Sequence, residues 1–142
     1  MLTEAGVRKL VKRVCAELDP GVPPPSVEFR DMKSKAGWRF DYYPETQKIA
    51  LPRPSKIKRY KALKVLEYRL AVLHEVAHHL FPSGTHDVAF YSGLFGLCDL
   101  YGVPFLFAVA DELAYKPRAA ASGLNQYIQA MKNHIDELEA SR

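Results

Sequence analysis

The sequence predicts an α+β fold. It has a small antiparallel or mixed sheet of about three strands, a central helix that carries a histidine cluster, and further helices towards the C-terminus. Three observations predict it. Hydrophobic spacing is helical over residues 3–18, strand-like in three short stretches between 26 and 52, and helical again from about residue 60. Prolines at 20, 23, 24 and 25 set the first helix apart from the strands, and Pro52 and Pro54 close the β region. The length of 142 residues, 48 % hydrophobic and 25 % charged, fits one globular domain over 1–142 with a core of its own.

Each element has its own signal. In residues 3–18, Val7, Leu10, Val11, Val14 and Leu18 recur at helical spacing, and Thr3 is the N-cap. "SVEFRDM", "GWRFDYY" and "KIALP" read as strands, rich in β-branched and aromatic residues, with "YPETQ" as a turn between the last two. From about Tyr60 to Phe81, Leu63, Leu66, Leu70, Leu73, Ala77 and Leu80 form one stripe. From Leu70 onward this helix is apolar on most sides and should be buried. "PSGT" breaks it, and a further helix runs from near Thr85 to Tyr101, ended by Gly102 and Pro104. Residues 105–114 are helical in pattern. From about Ala119, Leu124, Ile128, Met131, Ile135 and Leu138 mark a last amphipathic helix.

Composition narrows the function. No apolar run approaches the roughly 18 residues of a membrane span. The first residues mix charge into their apolar positions, unlike a signal peptide, so a cytoplasmic protein is expected. Cys15 and Cys98 are too few for a zinc ribbon, and Cys98 reads as a core residue. Residues 1–69 hold 16 Lys/Arg against 8 Asp/Glu, and residues 70–142 hold 4 against 8. The densest basic stretch, "RPSKIKRYKALK", carries Arg53, Lys56, Lys58, Arg59, Lys61 and Lys64 with no acid. It is either a nucleic-acid contact or a solvated loop and first helical turn.

Four of the five histidines fall within "HEVAHHLFPSGTH", residues 74–86. His74 and His78 are one helical turn apart on one face, with Glu75 beside them, which gives H-E-x-x-H. Two neutral imidazoles hold Zn²⁺, and a carboxylate next to the ion takes the proton of a water whose acidity the ion raises. Chance produces this pattern in roughly 1 % of chains of this composition. A catalytic zinc takes three protein ligands, and His86, beyond the turn at Pro82 and Gly84, is the leading third. Asp87 follows it, with Glu112 and Asp99 as more distant choices. Glu67, two turns before His74, is a supporting hydrogen-bond candidate. His79 lies about 140° around the helix from His74 and is not expected to ligate. His134 reads as a surface residue. Tyr91 and Tyr101 are candidate oxyanion donors, although packing is the commoner use of a tyrosine.

With "HEVAHHL" and "GTHDVAF" in view, the sequence resembles the zincin metallopeptidases. Within them it resembles compact SprT-like and WLM-type proteins and small metallohydrolases of actinobacteria and their phages. In those groups a third histidine follows the H-E-x-x-H after a short turn, with an aromatic residue four positions later, here His86 and Phe90. A strand ending in I-x-L-P precedes the helix, here "KIALP". The chain departs from SprT-like proteins at Asp87, where they usually have glycine. The resemblance implies a zincin-like fold and a zinc metallopeptidase, with His74, His78 and His86 on Zn²⁺ and Glu75 as general base. It also implies a protein or peptide substrate that adds a strand to the edge near "KIALP". Two alternatives stand beside it. One is an ImmA/IrrE-like peptidase that cleaves repressors, with Glu112 of "ADELAYKP" as the acidic ligand. The other is a zinc-stabilised adaptor that binds nucleic acid without turnover.

Overall fold

Thr3 caps the first helix as its sequence requires: in the computed structural model of the chain, its hydroxyl accepts from the Gly6 N–H at 3.0 Å. The structure describes residues 2–31, 33–34, 37–56, 62–82, 86–115 and 121–141. Their order is α1 (Glu4–Leu18), β1 (Ser26–Arg30), β2 (Lys33–Ser34), β3 (Gly37–Trp38), β4 (Asp41–Tyr43) and β5 (Lys48–Pro52). Then follow α2 (Ala62–Leu80), α3 (Val88–Leu100), α4 (Phe105–Tyr115) and α5 (Ala121–Ala140). The class is α+β, with five helices and a small mixed sheet among the described residues. The chain divides into two compact units, Met1–Pro82 and Ser83–Arg142. No helix is long and apolar enough to cross a membrane among the described residues.

Among the described residues, the first unit holds a three-stranded sheet, the two-stranded β2–β3 pair and the helices α1 and α2. The strand order is β1-β5-β4. β1 pairs with β5 in parallel, Ser26 opposite Lys48 and Arg30 opposite Pro52. β4 pairs with β5 antiparallel, Asp41 opposite Ala50 and Tyr43 opposite Lys48. β5 therefore has a neighbour on both sides, and its Ile49, Ala50 and Leu51 are fully buried. This corrects the expectation that "KIALP" offers an edge, because its backbone donors and acceptors are already engaged in two ladders. The edges are β1 and β4. "GWRFDYY" is also two strands rather than one. Gly37–Trp38 pairs back onto Lys33–Ser34, and only Asp41–Tyr43 joins the main sheet. The turn over 44–47 falls where expected, and Gln47 takes a left-handed conformation (φ 48°) to close it. The Gln47 carbonyl also accepts from the Ser26 N–H at 3.0 Å, which ties the turn to the start of β1.

α2 packs on β4, β5 and α1. Leu70, Val72, Leu73, Val76 and Ala77 are at most 1 % exposed, so the helix is buried on most sides as its pattern predicts. Each large side chain so buried contributes about 1.5–3 kcal/mol of transfer free energy. Tyr68 locks the helix to the sheet by donating to the Pro52 carbonyl at 2.7 Å. On α1 the buried face is Val7, Val11, Val14 and Cys15, whereas Leu18, the last helical residue before the Asp19 cap, is exposed. The expected stripe thus ends one turn early.

The second unit is three helices. α3 packs against α4 and α5. It starts at Val88 rather than near Thr85, because Asp87 is its N-cap and accepts from the Phe90 N–H at 2.9 Å. Gly102 ends it in the left-handed conformation (φ 80°), with the Val103 N–H returning to the Cys98 carbonyl at 2.9 Å. Phe90, Tyr91, Leu94, Leu97, Ala108 and Leu124 form its core. Both cysteines are free and buried, Cys15 in the first unit and Cys98 in the second. Burial pushes their thiols up, to about 11 and about 12 respectively, the latter with help from the charge of Glu112.

Candidate metal centre

The buried half of α2 carries four polar residues, His74, Glu75, His78 and His79, and the helix separates them by angle. His74 and Glu75 are each 5 % exposed, and His78 is half-buried. The His74 and His78 rings meet edge to face with centroids 5.0 Å apart, as i and i+4 on one helix face should. His79 points to different neighbours. Its Nε2 lies 2.8 Å from the Pro23 carbonyl and its Nδ1 lies 2.9 Å from the Tyr42 hydroxyl. A carbonyl only accepts, so Nε2 carries the proton, Nδ1 carries the lone pair, and Tyr42 donates to it. Burial raises the Tyr42 hydroxyl above the usual tyrosine range and keeps that donor protonated, with the charges of Cys15 and Glu45 adding to the effect. Both nitrogens of His79 are thereby engaged within the fold, which agrees with its expected exclusion from the ligand set.

Tyr42 is the residue that sequence reasoning missed. Its ring stacks on His78 with centroids 6.4 Å apart and planes 11° from parallel, while its hydroxyl holds His79. The available signal was the two-residue period of "FDY". Phe40 meets Tyr68 of α2 at 5.2 Å, so Tyr42, two positions on, faces the same helix.

His86 sits in the second unit, one residue before the Asp87 cap of α3 rather than inside the helix. Its ring meets Phe90 edge to face at 5.0 Å and lies 6.2 Å from Tyr91. Its backbone rests on α5. A Cβ built on Gly123 would come within 1.9 Å of the His86 carbonyl oxygen and 2.9 Å of the Asp87 Cα. Only a residue without a side chain permits this approach. Gly123 is thus a second missed residue, and a glycine inside an otherwise helical pattern was its signal, since glycine there costs about 1 kcal/mol against alanine.

One ligand atom from each of His74, His78 and His86 can be chosen so that all lie within 4.8 Å of one another. The three histidines are close enough to hold a metal ion. Three imidazoles are also the donor chemistry that such an ion takes.

The other candidates stand elsewhere. Asp87 spends its carboxylate on the Phe90 N–H. Asp99 and Glu67 are exposed. Glu112 is buried in α4; burial raises the hydroxyl of Tyr91 and the thiol of Cys98, and the charge of Glu112 adds to both. Tyr91 is fully buried, and its hydroxyl has no hydrogen-bond partner among the described residues. Tyr101 is buried at the far end of α3. His134 is on the exposed part of α5, as expected. Of the basic segment, Lys58, Arg59 and Lys61 lie outside the described residues. Lys56 and Lys64 are exposed, and Arg53 is paired with Glu4 and Asp31, each at 3.4 Å. Comparison with family models, with curated proteins and with solved structures finds no match to the chain.

Proposed function

We propose that the chain is a zinc-dependent metallopeptidase of zincin-like fold, with His74, His78 and His86 as ligands and Glu75 as general base. The observation that carries this reading is the mutual reach of the three histidine ligand atoms, within 4.8 Å, on and after a helix that also buries Glu75. When bound, the ion would polarise a scissile carbonyl and acidify a neighbouring water.

The protein's own residues do the rest. Glu75 follows His74 by one residue and precedes His78 by three, so its carboxylate stays on the histidine side of α2. There it accepts a proton from the attacking water and returns it to the leaving amine. Tyr42 fixes the His78 ring from one side by stacking. Tyr91, whose ring lies 6.2 Å from that of His86 and whose hydroxyl has no partner among the described residues, is the candidate neutral donor for the developing oxyanion. An extended peptide would pair with β4, the edge strand that carries Tyr42, rather than with β5.

The test is zinc content per chain for wild type, Glu75→Gln and His86→Ala, purified side by side, together with cleavage of denatured casein. About one zinc in wild type and Glu75→Gln, much less in His86→Ala, and casein cleavage only in wild type are expected. Wild type that takes up no zinc when supplied with it overturns the reading. Full zinc in His86→Ala would move the third ligand to Glu112 and the function towards the repressor-cleaving type. Zinc without cleavage would leave a metal-stabilised binding protein.

A further inference from the structure

Among the described residues, nine large apolar side chains are exposed, and eight of them belong to the second unit. Four lie on α5: Ile128 at 37 %, Met131 at 37 %, Ile135 at 49 % and Leu138 at 54 %. With Leu124, which is fully buried, they are spaced four, three, four and three residues apart. That is a heptad seam of period 3.5 rather than the broader face of a helix lying on a core. Among the described residues, α5 is anchored at its start. Gly123 rests on His86, and Tyr127 meets Phe95 at 5.1 Å and Phe105 at 6.5 Å. From Ile128 to Ser141 every residue is exposed. A helix in water with its seam unburied draws little stability from propensity alone, so the seam calls for a partner.

The residues along the seam specify that partner. With Ile128 and Ile135 at the a positions and Met131 and Leu138 at d, β-branched side chains occupy a and unbranched or γ-branched ones occupy d, while Leu124, one heptad step before, is buried in its own unit. This favours two parallel strands over three or four. The flanks agree. In a parallel pair, His134 at g faces Glu139 at e of the other copy, and no like charges oppose each other at e and g. The side away from the seam is polar, where Gln129 donates to Asn133 at 2.9 Å.

We propose that α5 pairs in parallel with α5 of a second copy of this chain, making a short two-stranded coiled coil from residues 128–138. Four exposed residues per copy bury a small seam, so the association is weak and concentration-dependent. It is independent of the histidine cluster.

Sedimentation equilibrium of the full chain, over a hundredfold range reaching about 1 mM, tests it. The mass should rise from 16.1 kDa towards twice that value. Ile135→Glu keeps a good helix former but puts a carboxylate in the seam of each copy, and should weaken association at least about a hundredfold. Leu138→Cys reports direction. A parallel pair places the two new thiols together at a d layer, and mild oxidation should link the copies, while Cys15 and Cys98 stay buried. Wild type that stays at 16.1 kDa, or Ile135→Glu that associates as wild type does, overturns the pairing. A doubled mass without the Leu138→Cys cross-link overturns its parallel direction.

Discussion

At the scale of single residues, the candidate site depends on a phenol as much as on imidazoles. Tyr42 contributes twice, by its ring on His78 and its hydroxyl on His79. The Tyr42→Phe variant separates the two roles. It keeps the stacked ring and leaves a buried imidazole nitrogen without its donor. We expect a loss of about 1–3 kcal/mol in urea unfolding with zinc stoichiometry unchanged. A loss of zinc instead would show that the hydroxyl acts on the ligands themselves. His74, Glu75 and His78 were legible because their relation is local: one helical turn fixes it. Tyr42 was not, because its partners are 36 and 37 residues away in the chain, and only the pairing of β4 with β5 brings the strand under α2.

At the scale of elements, α5 and β1 carry the clearest consequences. Gly123→Ala inserts a methyl group into the His86 backbone, so α5 or the residues before α3 must shift. A cost of about 1–3 kcal/mol in thermal or chemical unfolding is expected and, under the proposed zinc reading, weaker zinc retention than wild type. Unchanged stability would mean that α5 accommodates the methyl group by sliding. On β1, Glu28 accepts from Arg30 at 2.8 Å and from Lys48 of β5 at 3.1 Å. The hydrogen bonds from these two cations hold its carboxyl well down, at about 2 against an ordinary 4.5. A depressed folded value means that the stability is present above pH 4.5 and is lost as pH falls towards 2. Wild type should therefore outlast Glu28→Gln in denaturant at pH 7, with the gap closing in acid; a constant gap would assign it to packing. Most elements were legible from period and punctuation. The order of strands was not, because "KIALP" reads alike at an edge or in the middle, and only pairing on both sides decides it.

At the scale of the whole molecule, each unit holds one buried thiol that reports on it. Burial raises Cys15 to about 11 and Cys98 to about 12, so the thiols favour the protonated form, and the stability this reflects is lost as pH rises above 9. A thiol-alkylating reagent at pH 8 should modify neither cysteine in the folded protein and both once urea unfolds it. Rapid labelling of Cys15 alone in native buffer would mean that α1 opens while the second unit stays closed. The central position of β5 has a further consequence, one of timing. β4 reaches β5 through a four-residue turn and can zip in about 1–10 μs. β1 must wait for a strand that begins 22 residues further along, Ser26 opposite Lys48. On a ribosome adding roughly 5–20 residues per second, β1 is made about 1–4 s before its partner exists. During that interval its register is undefined; in the folded chain the Ser26 N–H meets the Gln47 carbonyl, at the end of the turn, where the β1–β5 ladder begins.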